Sequence, residues 1–299
     1  MKARFDRQTC VVETPGRYSI QFEDIFRSHR PAAKSVLFVN GALASSRSFR
    51  WALGGLPDHN LILYDLPHMG SSKQYNTGAS VITLEAEVAI LRCLIDRYAP
   101  SYIASMSWGG VAALLSLAEC PVSVEKAIVA SFSNRVTEEM RVLLEELDRL
   151  IALRRDADCA HLINDTFGKH LPAGFKRANY SHLATLGDGE RDYITLHIKR
   201  MLQFDQSHFS SEIKNTSAEI LFINGGNDVY TPWPDVGVFA QSFARSQTAV
   251  IAQAGHFLTA ESAANARKVA RIANSFFETT PLCGASNVIL TAEATVPAP

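Results

Sequence analysis

Six short apolar runs punctuate the chain, at 35–39, 60–64, 102–105, 126–130, 219–223 and 246–251. Most are rich in Val, Ile, Leu and Phe without polar alternation, the pattern of strands covered on both faces. Helical periodicity fills the gaps. Residues 83–98 set Leu84, Val88, Leu91 and Ile95 on one stripe, and 110–118 follow the third run as a second helix. Strands alternating with helices predict an α/β fold with a mostly parallel central sheet. The alternation stops between 134 and 215, where helical patterns cover 137–155, 160–167, 173–186 and 191–204. A helical insertion between two sheet strands has the form of a cap over an active site. The predicted organisation is a core over 1–133, a helical cap over 134–215, the rest of the core over 216–278, and a tail over 279–299. The tail mixes Thr, Ala, Pro and Gly around one apolar run at 288–290 and is expected to be loosely attached and disordered.

Composition narrows the class. A chain of 299 residues has room for one large domain with an insertion or for two modest domains, and 47% hydrophobic with 20% charged residues fits a soluble globular protein. The net charge of -1 gives the whole molecule no pull toward nucleic acid. No stretch approaches the roughly 18 uncharged apolar residues of a membrane span. Residues 1–7 alternate charged and apolar positions and lack the core of a signal peptide. Cys10, Cys93, Cys120, Cys159 and Cys283 are scattered without a C-x-x-C pair, which reads as reduced thiols and not as a disulfide frame or zinc site. A cytoplasmic location is expected.

The strongest chemical signal is Tyr102-Ile-Ala-Ser-Met-Ser-Trp-Gly-Gly, where an apolar strand runs into a serine flanked by small residues and a helix begins at once. That is a nucleophile elbow: the tight turn lifts the Ser107 hydroxyl above the sheet. The usual pattern is G-x-S-x-G, and here Ser105 replaces the first glycine. A serine hydroxyl needs a base. His256, in Ala-Gly-His-Phe directly after the last strand run, stands out among nine histidines. The third member must accept the imidazole N–H. Asp228 ends Asn224-Gly-Gly-Asn-Asp at a strand end, whereas Asp235 lies deeper in the following loop. The order Ser…Asp…His is the one α/β-hydrolases use. The oxyanion donors are expected to be the backbone N–H groups of Trp108 and of Ala42 in Val39-Asn-Gly-Ala.

Other residues take plainer roles. Asp65 is expected to order its turn, His68 to be an exposed loop histidine with a place in the pocket lining as the alternative, and Glu138, Glu139, Glu145, Glu146 and Arg149 to form a solvated face. No phosphate-binding glycine loop or metal-ligand cluster is seen, so neither cofactor nor metal is expected.

The set 39–46 (VNGALASS), 65–72 (DLPxxGxS), 105–110 (SxSWGG), 164–172 (NDTFGKHLP), 222–225 (FING) and 254–258 (AGHFL) resembles one branch of the α/β-hydrolases. That bacterial family contains the 3-(3-hydroxyalkanoyloxy)alkanoate synthase of rhamnolipid assembly and the 3-hydroxyacyl-carrier-protein:CoA transacylase, or thioesterase, that feeds polyhydroxyalkanoate synthesis. The resemblance spans roughly 35 to 277. It implies attack of Ser107 on an (R)-3-hydroxyacyl thioester carried by acyl carrier protein, with His256 as base. The acceptor would be a second 3-hydroxyacyl chain in the synthase, coenzyme A in the transacylase and water in the thioesterase. Asp65-Leu-Pro fits the synthase slightly better, so that reading stands first. A broad carboxylesterase and a non-catalytic receptor stand behind both. Leu43, Phe167, Leu171 and Phe175 are the candidates for substrate contact. Leu143, Leu147, Leu162 and Leu183 join the three cap residues among them as candidates for an acyl tunnel. Arg47, Arg50, Lys169, Lys176 and Arg177 are candidates for docking the acidic carrier.

Overall fold

The computed structural model describes residues 5–30, 32–77, 82–204, 209, 213–214, 216–279 and 288–291. The chain opens with a hairpin of β1 (Phe5–Thr14) and β2 (Tyr18–Ser28). Its turn needs glycine: Gly16 has φ +81°, and a Cβ there would lie 2.7 Å from the Tyr18 ring. Strands and helices then alternate as β3 (Ser35–Val39), α1 (Ala52–Gly55), β4 (Asn60–Tyr64), α2 (Leu84–Tyr98), β5 (Tyr102–Met106), α3 (Gly109–Leu117) and β6 (Lys126–Ala130). Four consecutive helices follow: α4 (Glu138–Ala152), α5 (Asp156–Asp165), α6 (Ala173–Leu183) and α7 (Asp188–Gln203). The sheet resumes with β7 (Glu219–Gly225), α8 (Trp233–Ala240), β8 (Ser246–Ile251), α9 (Leu258–Glu261), α10 (Ala263–Glu278) and β9 (Val288–Thr291).

The strands form one sheet in the order β1-β2-β4-β3-β5-β6-β7-β8-β9. β2 runs antiparallel to both neighbours, and every pairing from β4 to β9 is parallel. Alternate strand residues serve opposite faces, which is why the central runs are apolar throughout. Leu37, Ile62, Ile103 and Ala127 pack with α2 and α3, and Ile220 and Phe222 pack with α3 and α8. Val36, Phe38, Leu63, Ala104 and Ile128 pack on the other face with α1 and α10. Each Val, Leu, Ile or Phe among them, fully buried, contributes about 1.5–3 kcal/mol.

The cap has its own apolar centre. Met140, Leu144, Leu147 and Ile151 of α4 meet Cys159 of α5 and Ile194 and Ile198 of α7. Thr137 caps α4 by accepting the Met140 N–H at 3.2 Å.

All six expected strands are present, and the four expected cap helices occur with ends displaced by a few residues. The hairpin β1–β2 was absent from the expectation. The loose tail is corrected in part: the backbone of Val288–Thr291 pairs with Gln247–Val250 of β8, so a ladder holds that segment. The rest of that tail, 280–287 and 292–299, lies outside the described residues.

Candidate active site

β5 ends at Met106, α3 starts at Gly109, and Ser107 occupies the turn between them with φ +52°. Such a backbone is strained for a non-glycine residue and persists only where its surroundings hold it. Here the Ser107 N–H donates to the Ala130 carbonyl at 2.8 Å, locking the elbow to the end of β6. Gly109 is required by a close approach: a Cβ there would fall 2.3 Å from the Asn40 carbonyl oxygen. Ser105 is buried, and its hydroxyl donates to the Ile128 carbonyl of β6 at 3.1 Å. The serine in place of glycine is therefore satisfied within the sheet.

The turn after β3 lies against the same serine. A Cβ on Gly41 would sit 3.1 Å from the Ser107 Cβ and 2.9 Å from the Met106 oxygen. Neither the Ala42 nor the Trp108 backbone N–H donates to a protein acceptor among the described residues. Asn40 fixes the turn from below, donating to the Tyr64 carbonyl at 2.7 Å.

His256 Nε2 lies 3.1 Å from Ser107 Oγ, and His256 Nδ1 lies 2.8 Å from Asp228 Oδ2. Asp228 is held by its own loop: Oδ1 accepts the N–H groups of Tyr230 and Thr231, and Oδ2 accepts the Thr231 hydroxyl at 2.5 Å. Burial pushes its carboxyl up, but the attraction of His256 and these hydrogen bonds outweigh that, and the net direction is down. It is thus kept ionised behind the imidazole. The histidine loop is fastened separately. Glu261 of α9 accepts the N–H groups of Gly255 and Phe257, and the Ser131 hydroxyl donates to the His256 carbonyl at 2.6 Å.

The structure thus brings together Ser107, Asp228, His256, Ala42 and Trp108. Of the substrate candidates, Phe167 packs on the His256 ring with centroids 4.8 Å apart and on Tyr230 at 4.4 Å. Leu43, with φ +57°, leans from the turn after β3 against the cap centre. Leu171 is buried next to Gly168, while Phe175 is 52% exposed on α6. Asp65 orders its turn, accepting the N–H groups of Ser46 and Ser71 at 2.7 Å each. His68 is only half-exposed, because its ring rests on Tyr193 of α7 at 5.3 Å. Thr231, Glu261 and Ser131 were missed by the sequence reading. Thr231 alone carried a local signal, three residues beyond Asp228 in a turn.

Among the described residues no cluster of three or more His, Cys, Asp or Glu side chains could hold a metal, and no helix is long and apolar enough to cross a membrane.

An elbow serine, a histidine and an ionised aspartate at the ends of parallel strands define a serine hydrolase of the α/β kind. The sequence model of the alpha/beta hydrolase family matches residues 36–271, and the chain belongs to that family and is an enzyme. It is 36% identical over 255 residues to the (R)-3-hydroxydecanoyl-ACP:CoA transacylase of Pseudomonas putida, covering 85% of this chain and 86% of that protein. Identity to the transacylase of the same name from Pseudomonas aeruginosa is 34% over 256 residues, 85% of this chain and 84% of the relative. Solved structures agree in fold. An α/β-hydrolase from a Medee basin deep-sea metagenome superposes with a TM-score of 0.76 at 16% identity, over 92% of this chain and 99% of that one. The esterase of Exiguobacterium antarcticum gives 0.73 at 16% identity, over 91% and 100%.

Proposed function

We propose that the protein transfers an (R)-3-hydroxyacyl chain from the thiol of acyl carrier protein to coenzyme A through an ester on Ser107. The observation that carries the chemistry is the hydrogen-bonded series from Ser107 Oγ through His256 to Asp228. The relatives' names support the donor and the acceptor.

Ser107 Oγ attacks the thioester carbonyl while His256 Nε2 takes its proton. The tetrahedral oxyanion is met by the N–H groups of Ala42 and Trp108, and losing one such donor costs about 2.7–4 kcal/mol in comparable enzymes. Collapse expels the carrier's thiol with the proton held by His256. The coenzyme A thiol then attacks the ester, giving its proton to His256, and Ser107 leaves with that proton. Asp228 holds the imidazole tautomer and stabilises the imidazolium in both halves.

The synthase reading uses the same acyl-enzyme with a second 3-hydroxyl as acceptor. It rests on the Asp65-Leu-Pro turn, and the relatives' names weigh against placing it first. Mass spectrometry of products from (R)-3-hydroxydecanoyl carrier protein, with and without coenzyme A, separates the two. Hydroxyacyl-CoA is the expected product, lost in Ser107→Ala and slowed on the order of 10⁴-fold in Asp228→Asn. An ester dimer formed equally well without coenzyme A overturns the transacylase assignment in favour of the synthase.

A further inference from the structure

Behind the elbow lies a buried carboxylate that takes no part in the hydrogen-bonded series. Glu87, in the first turn of α2, is 3% exposed. Its Oε2 accepts the Trp108 indole N–H at 3.0 Å, and its Oε1 accepts an N–H of Arg200 from cap helix α7 at 3.0 Å. A second guanidinium nitrogen of Arg200 donates to the Ile82 carbonyl, just ahead of α2. The Trp108 ring also stands edge-on to His197 and to Phe204, at 5.1 and 5.5 Å. One side chain of the elbow is therefore gripped from the core by a carboxylate and from the cap by two rings. Arg200 ties the two grips together.

A carboxylate buried here needs partners, because leaving water is costly for an ionised group. The first turn of α2 favours negative charge, and Arg200 supplies the counter-charge. The groups around Glu87 are Glu85 on its own helix, Tyr64 on β4, Trp108 on the elbow, and Tyr193 and Arg200 on α7, with His197 beside Trp108. Burial pushes the Glu87 carboxyl up to about 7, against the pull of Arg200 and the indole N–H.

We propose that Glu87 is a positioning residue: held by Arg200 of the cap, it fixes the Trp108 indole so that the Trp108 backbone N–H stays aimed at the acyl oxygen on Ser107. The indole and that N–H belong to one residue at the start of α3, so freeing the ring frees the donor. Seating of α7 and aim of the oxyanion donor are coupled through this pair. The proposal rests on the Ser107 reading above.

Two readouts test it: Ser107 phosphonylation by a small fluorophosphonate, which needs neither carrier nor coenzyme A, and steady-state acyl transfer. Glu87→Gln removes the charge, and Trp108→Phe removes the bond while keeping a ring. Glu87→Gln with Arg200→Gln guards against unfolding by a stranded cation, and folding of each is checked by thermal melting. The single variants should slow both phosphonylation and kcat by about 10- to 100-fold, with KM for the acyl donor within about threefold. Combining Glu87→Gln with Trp108→Phe should be little worse than either alone. The ratio of wild-type to Glu87→Gln phosphonylation rates should rise as pH increases through about 7, since the ionised carboxylate does the positioning. Wild-type rates in the folded variants, or a change in KM alone, overturn the proposal and leave the Ser107 reading standing. Wild-type protein that fluorophosphonate does not label at Ser107 overturns both.

Discussion

Around the elbow, single residues answer to backbone atoms and to buried charge more than to the substrate. Gly109 is set by the Asn40 carbonyl, Ser105 by the Ile128 carbonyl, and Thr231 by Asp228. His197 is the exception. It is buried, with neither ring nitrogen partnered among the described residues. Burial, aided by nearby Arg200, pushes its pKa down to about 3 from an ordinary 6.5. Its neutral form contributes fully above pH 6.5. As pH falls from 6.5 toward 3 the unfolded chain takes up a proton that the folded protein refuses, and stability falls. Denaturant unfolding of wild type and His197→Phe at pH 7.5 and pH 5 should show the wild type losing about 2 kcal/mol more than the variant. Equal losses would mean the ring is solvated or paired in the folded protein. Ser107, Asp228 and His256 were legible in the sequence because each sits at a strand end in a small-residue turn. Glu87 and Ser131 were not, since they act on residues 21 and 125 positions away.

At the scale of elements, the central strands and the cap announced themselves through continuous apolar runs and then their absence. Thr83 and Thr137 marked the starts of α2 and α4, and both cap their helices. β1 and β2 were missed because their polar-apolar alternation reads as surface charge until the Pro15-Gly16 turn joins them into a hairpin. β9 was missed because four residues give no period. Helix α6 is the candidate docking surface for the proposed carrier-bound donor. It buries none of its residues, carries Lys176 and Arg177 without an acid, and exposes Phe175. It also follows the loop that lays Phe167 on His256. A basic helix so placed suits an acidic carrier. Reversing Lys176 and Arg177 to glutamate should raise KM for the carrier-bound substrate about tenfold and remove the rise of KM with salt that a basic docking surface gives the wild type. The rate with a small soluble thioester should stay the same. An unchanged KM for the carrier-bound substrate would place docking elsewhere.

For the whole molecule, the proposed transfer divides the labour between a sheet that fixes the acyl-enzyme and a cap that chooses what attacks it. Every acceptor in question uses the same nucleophile, base and oxyanion donors, so the core alone does not separate a thiol from water. The cap meets the core through Phe167 on His256, Leu43 on the cap centre, and Arg200 on Glu87. In the proposed transfer, the task of the cap at those contacts is to exclude water and hold the acceptor in attack geometry. The fold class was legible from the chain because strand and helix periods are local, whereas the inner surface of the cap, where the proposed acceptor enters, is assembled from distant segments that no local pattern spells out. In the proposed transfer Ser107 carries the acyl group. Acid-quenched mixtures of enzyme and (R)-3-hydroxydecanoyl carrier protein, without coenzyme A, test it directly by peptide mass spectrometry. The hydroxydecanoyl mass is expected on the peptide containing Ser107, discharged by added coenzyme A and absent in Ser107→Ala. Product formation with no adduct on that peptide, or with the adduct on another residue, would contradict it.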